Sequence, residues 1–200
     1  MPSGVEIQEY LRGAWRLMMG RPDGVRALDV SADGFWNSFY AILVAFPALG
    51  VGWTSLAIEL AERGLGSRIS IALRLAVIDI VAWVLPLLVL GLVARTIRIG
   101  DRYPHFVVAS NWGSALLAWL MLPVSILGLF TSGPNAAVDT VSLVVFLAAM
   151  VLTWRLTNAV LVKGAAVASA VFFSVVVAGI FLIFFLQDVF GLQGAQVSGG

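Results

Sequence analysis

Residues 165–187 read Ala165-Ala-Val-Ala-Ser-Ala-Val-Phe-Phe-Ser-Val-Val-Val-Ala-Gly-Ile-Phe-Leu-Ile-Phe-Phe-Leu-Gln187, a run of 23 positions without a charge. As a helix rising about 1.5 Å per residue, such a run is about 34 Å long, enough to cross a hydrocarbon core of about 30 Å. Its apolar residues are continuous and do not alternate, so it is not a barrel strand. In lipid, with no water to serve the backbone, a helix is the remaining way to satisfy it.

Four more apolar stretches precede it, at 35–58, 71–94, 106–130 and 138–160. The composition agrees. Of 200 residues, 60% are hydrophobic and 12% charged, and the mean hydropathy is +1.00. That charged share is about half of what a soluble domain carries on its surface. The composition excludes a soluble enzyme, a disordered chain and a nucleic-acid binder. The expected fold is all-α: an integral membrane bundle of five transmembrane helices, with the lipid bilayer as its first partner. There is no cysteine and a single histidine, His105. Thiolate and multi-histidine metal sites are thereby excluded, and no metal, cofactor or catalytic residues are assigned. His105, with Asp101 four residues before it and Ser110 five after, is read as an anchor or cap, not as a catalytic base.

The links between the stretches are short, so the expected organisation is a polar N-terminal segment 1–34, a membrane domain 35–187 and a disordered tail 188–200. The first segment has no apolar core between its charges and is not expected to be a cleaved leader. Thr131-Ser-Gly-Pro-Asn135 reads as a turn. Arg12, Arg16, Arg21, Arg26, Arg95, Arg98, Arg102, Arg155 and Lys163 fall on the side of the N terminus, against Arg63 and Arg68 on the other. This bias predicts a cytoplasmic N terminus and, after five spans, an external C terminus. Trp36, Trp53, Trp112 and Trp154 are expected in the interfacial aromatic belt.

Several features are candidates for function. Ile7, Leu11, Trp15 and Met18 recur at helical spacing, which predicts an amphipathic helix over 5–19. It is expected to lie on the cytoplasmic membrane surface or to dock a protein partner, the alternative being packing on its own bundle. Pro47, Pro86 and Pro123 each interrupt one span and are read as kinks. Ala166, Ala170, Ser174 and Ala178 form a small-residue stripe, as do Ser110, Ser114 and Ala118. Such stripes seat helices closely, within the bundle or in a homo-oligomer. Asp79 is the sharpest feature, a carboxylate deep in the second span, with Arg74 five residues away and free to reach outward. With no other cation at its depth, Asp79 is expected to be neutral and to donate to a carbonyl freed by Pro47 or Pro123, unless a water cavity reaches it from outside.

Gly34-Phe-Trp-Asn-Ser-Phe-Tyr40, Arg102-Tyr-Pro-His-Phe-Val-Val-Ala-Ser-Asn-Trp112 and the turn from Asn158 to Ala170 resemble the bacterial branch of the Yip family, the Ypt/Rab-interacting membrane proteins. The resemblance spans roughly residues 10–187. It implies a five-span protein, here of the bacterial cytoplasmic membrane, with no cofactor or catalytic residue. The Asp-Leu-Tyr-Gly-Pro motif of eukaryotic members is absent, so no prenylated GTPase is implied as a partner.

Two functions follow as expectations. The first is a non-enzymatic scaffold or adaptor that organises a partner or the membrane. The second is a small transporter or channel subunit with Asp79 in its pathway. A closed bundle would favour the first; a cavity lined by Asp79, Arg74 and serines would favour the second. On topology, reporter fusions are expected to place the N terminus in the cytoplasm and a fusion after Asp188 outside. A cytoplasmic reporter after Asp188 would refute five spans with this orientation.

Overall fold

The structure, a computed structural model, describes residues 1–131 and 135–193. Helix α1 spans Gly4–Met18, and a 3-10 turn follows at Pro22–Ala27. The short α2 (Ala32–Asn37) and a 3-10 turn at Ser38–Tyr40 lead into α3 (Ala41–Glu62). Then come α4 (Arg68–Val93), α5 (Tyr103–Phe130), α6 (Ala136–Leu161) and α7 (Ala165–Val189). Five helices are long and apolar enough to span a membrane, the first counted as Ala32–Glu62. The chain is an integral membrane protein by this measure.

The helix boundaries have local chemical causes. Ser3 and Glu6 form a reciprocal capping box at the start of α1. The hydrogen bond from Ser3 holds the Glu6 carboxyl below its ordinary value. Ser67 caps α4 by accepting from the Ser70 N–H, and Asn135 caps α6 through Ala137 and Val138. Between α6 and α7 the chain reverses through Val162 at φ 52° and Gly164 at φ 88°. Helices α3, α4 and α5 run through Pro47, Pro86 and Pro123 without ending.

Helix α3 packs on α4 and α5, α6 on α5 and α7, and α7 on α4, so the five spans close into a ring. Much of the outer surface is apolar: Leu73, Val144, Phe173, Phe181 and Phe184 are all exposed, as acyl-chain contacts should be. The larger buried cluster lies at the end that carries α1. It joins Leu17 and Met18 to Phe106, Trp112, Leu156 and Leu161. A smaller cluster near the opposite end joins Trp53, Leu60, Ile71, Leu75 and Ile78 to Leu192.

Four expectations are corrected here. The Ile7/Leu11/Trp15/Met18 stripe is not one lipid-facing surface. Helix α1 packs on α5 and α6, with Met18 buried and Ile7 and Leu11 against the same core, while Trp15 remains exposed. The most buried face of α1 is Gly13, Ala14, Leu17 and Met18, with Ile7, Tyr10 and Leu11 at its edges, while Trp15, about 100° around the helix from Ala14, turns away. Trp53 and Trp112 are core residues, 7% and 1% exposed, not members of an interfacial belt. In α7, Ala166, Ala170 and Ser174 point outward; the packed face is Ala168, Val171 and Phe172. Of the tail expected to be disordered, Asp188 and Val189 belong to α7 and Leu192 is buried; residues 194–200 lie outside the described residues, as do 132–134 of the expected Gly-Pro turn.

Two loops are tied at the α1 end, where Lys163 Nζ lies 3.0 Å from Asp101 Oδ2. The hydrogen bond from Lys163 holds the Asp101 carboxyl below its ordinary value. Helix α1 is seated on the following turn by a glycine pair. A Cβ on Gly13 would stand 2.8 Å from the Gly24 carbonyl oxygen and 3.0 Å from the Ala27 Cβ. Gly13→Ala is therefore expected to destabilise the protein by about 1–3 kcal/mol through overpacking. Thermal denaturation in detergent measures this, with Gly4→Ala as the control because a Cβ there meets nothing within 4 Å.

Candidate functional site: a half-open cavity at Asp79

Asp79 stands near the middle of α4, beside the packed positions Leu75 and Ile78. Across the interface with α3, the small residue Ala57 and the large Trp53 share one buried face four residues apart. That register carries the indole to the carboxylate. Trp53 Nε1 donates to Asp79 Oδ2 at 2.6 Å. The ring is held from its other side by an edge contact with Phe46, centroids 5.4 Å apart and planes at 77°.

This is not the partner that the sequence suggested. Asp79 accepts from an indole and does not donate to a proline-freed carbonyl. A carboxylate oxygen that receives an N–H needs no proton of its own for that bond. Arg74 and Asp79 are not brought together. Arg74 Nη1 instead donates to the Phe190 carbonyl at 2.9 Å, at the C-terminal cap of α7. A cation there meets the negative end of the helix dipole and ties the start of the tail to α4.

Asp79 and Trp53 line a half-open cavity of about 370 Å³. Its remaining polar or aromatic lining is Trp83 of α4, Ser114 and Ser125 of α5, and Gln187 of α7. The other walls are small or apolar, with Gly52 and Ala118 leaving the space open. Ser114 and Ala118 belong to the small-residue stripe read in the sequence, so at this level the stripe borders a void.

A second polar system lies next to the cavity, and no sequence argument singled it out as a site. Trp83 Nε1 donates to Asn111 Oδ1 at 2.9 Å, and Asn111 Nδ2 donates to Ser38 Oγ at 2.8 Å. Ser38 Oγ then donates to the Phe35 carbonyl at 2.7 Å. Asn111 and Ser38 are fully buried. The orientation of the amide follows from the indole, which can only donate. This chain of bonds links α4, α5 and the turn before α3. Nearby, Tyr103 Oη donates to the Leu87 carbonyl at 3.0 Å. It fits because residue 91 is glycine: a Cβ there would stand 2.6 Å from the hydroxyl. The signal that could have found Asn111 is a lone amide inside an apolar stretch, which in lipid needs a partner on another helix.

His105 sits at the start of α5, and its Nδ1 is buried without a hydrogen-bond partner. Asp101 is engaged with Lys163 and not with His105. Among the described residues, no three histidine, cysteine, aspartate or glutamate side chains stand together.

The Trp53–Asp79 bond can be isolated by a double-mutant cycle. Trp53→Phe and Asp79→Leu are each expected to cost about 1–2 kcal/mol in an unfolding titration. The double variant should lose much less than the two costs added, because the same bond is removed twice. Asp79→Asn keeps an acceptor and should cost less than Asp79→Leu. Additive losses would show that the two side chains are not coupled.

No family model, no curated protein and no solved structure matches this chain.

Proposed function

We infer that this multi-pass membrane protein binds a small solute inside the bilayer, as a transporter or channel subunit with Asp79 as the recognition group. The observation that carries this reading is the half-open cavity with a carboxylate in its wall. Closed bundles bury such groups fully against protein, whereas a charge kept beside open space in a membrane marks a ligand or ion route. Two serines and a glutamine add hydrogen-bonding groups to mainly apolar walls, the usual make-up of a small-molecule site. Arg74, named with Asp79 in the sequence, holds the C-terminal end of α7 and is not part of the lining.

The scaffold or adaptor reading loses its strongest support. Besides the basic cytoplasmic edge and the lack of a catalytic set, it drew on α1 presenting an apolar stripe, and most of that stripe is packed on the bundle. What α1 leaves exposed is Gly4, Val5, Glu6, Gln8, Glu9, Arg12 and Trp15. Relationship to the Yip family rests on the quoted sequence segments alone. That the protein is not an enzyme rests likewise on the sequence, where His105 with Asp101 and Ser110 reads as an anchor or cap.

The chain has no cysteine, so single cysteines report cleanly. Ser114→Cys and Ser125→Cys are expected to react with a membrane-impermeant thiosulfonate, while Leu73→Cys and Phe181→Cys on the lipid-facing surface should not. Unreactive cysteines at both serine positions, tested from both sides of the membrane, would mean a closed bundle and would return the reading to an adaptor.

A further inference from the structure

The charge balance of the cavity points to the class of solute. This step rests on the reading of the cavity as a solute site. Asp79 is the one ionisable side chain in the lining; Trp53, Trp83, Ser114, Ser125 and Gln187 carry no charge. Arg74 lies outside the lining and is engaged with Phe190. Asp79 receives one hydrogen bond, to Oδ2, from a neutral donor. Among the described residues, Oδ1 has no donor. Nor is it sealed in protein, since the buried polar atoms without partners are Arg16 Nε and His105 Nδ1. The carboxylate thus keeps one oxygen for whatever occupies the cavity.

The surroundings select among cations. A bare metal ion would need several oxygen ligands to replace its water. The cavity offers one carboxylate, its other side-chain oxygens belong to Ser114, Ser125 and Gln187, and no three histidine, cysteine, aspartate or glutamate side chains stand together among the described residues. Two indoles stand in the wall instead. Trp83 spends its N–H on Asn111, so what it gives the cavity is ring carbon. Trp53 spends its N–H on Asp79 in the same way. Indole rings beside a carboxylate suit a cation with a large apolar body, held by charge at one point and by ring contact elsewhere. A space of about 370 Å³ accommodates a small organic molecule.

We propose that the cavity takes a lipophilic organic monocation, a substituted ammonium bearing apolar or aromatic groups. Asp79 Oδ1 meets the charge, while Trp53, Trp83 and the apolar walls meet the body.

The test uses the full chain in nanodiscs of zwitterionic lipid, titrated with benzyltrimethylammonium and followed by calorimetry and tryptophan fluorescence. Neopentylbenzene has the same shape with carbon in place of the charged nitrogen, and benzenesulfonate reverses the charge. The cation is expected to bind at least about tenfold more tightly than either. Asp79→Asn, which retains an acceptor for Trp53, should weaken the cation by about tenfold or more and leave the neutral isostere unchanged. Asp79→Glu should retain the preference for the cation. Equal affinity for cation and isostere, tighter binding of the sulfonate, or an Asp79→Asn variant that binds the cation as before would each overturn the proposal. Cysteines that label at Ser114 and Ser125 without any cation binding would overturn the solute class and leave the solute site standing. Cysteines that do not label would overturn the site itself.

Discussion

A polar group inside a bilayer has no water to turn to, and that constraint organises this bundle. Within the five spans, the backbone satisfies itself by being helical. Hydroxyls such as those of Thr54, Thr153 and Thr157 bond back to their own helix, while the indoles and Asn111 find partners on other helices. Trp53 reaches Asp79 across α3 and α4. Trp83 reaches Asn111, and Asn111 reaches Ser38. Trp154 Nε1 donates to Ser169 Oγ between α6 and α7, and Trp119 Nε1 donates to the Val44 carbonyl between α5 and α3. Four indoles thus act as long donors between helices, three of them between ring neighbours and Trp83 across the ring from α4 to α5. Between apolar surfaces that lipid solvates equally well, such bonds and close packing are what hold helices in register.

The two ends of the ring are built differently. At the α1 end, glycine contacts let backbones and side chains approach closely. Gly113 is a clear case, since a Cβ there would stand 2.7 Å from Leu156 Cδ1 and 3.1 Å from Met18 Cε. Helix α1 adds Leu17 and Met18 to the same cluster, and the Asn111 system closes the interior beside them. Toward the other end, between α3, α4 and α5, glycine and alanine leave space that no side chain fills. The same small residues give contact in one place and a cavity in another, according to what stands opposite them.

This asymmetry gives the cavity a firm floor and a half-open side. Trp83 belongs to both regions, with its ring in the cavity wall and its N–H in the buried chain of bonds. A ligand that moved Trp83 would therefore act directly on Asn111 and Ser38. Arg74 plays a separate part by holding the C-terminal end of α7 against α4 near the rim residue Gln187.

Much of this was legible in the sequence, because helices in lipid are a matter of length and continuous apolarity. The five spans lie within a few residues of the stretches read directly, apart from the first, whose opening residues form α2 and a 3-10 turn. Asp79 stood out for the same reason: a charge among apolar neighbours is a local property. Its partner was not legible. Trp53 lies 26 residues away on another helix, and a tryptophan near a span end reads equally well as an interfacial anchor. The inward face of α1 was also hidden, since an amphipathic helix has the same pattern whether its apolar side meets lipid or protein. Spacing along one helix determines which residues share a face. Only the assembled ring decides what that face meets, because in a membrane the protein interior and the lipid are both apolar.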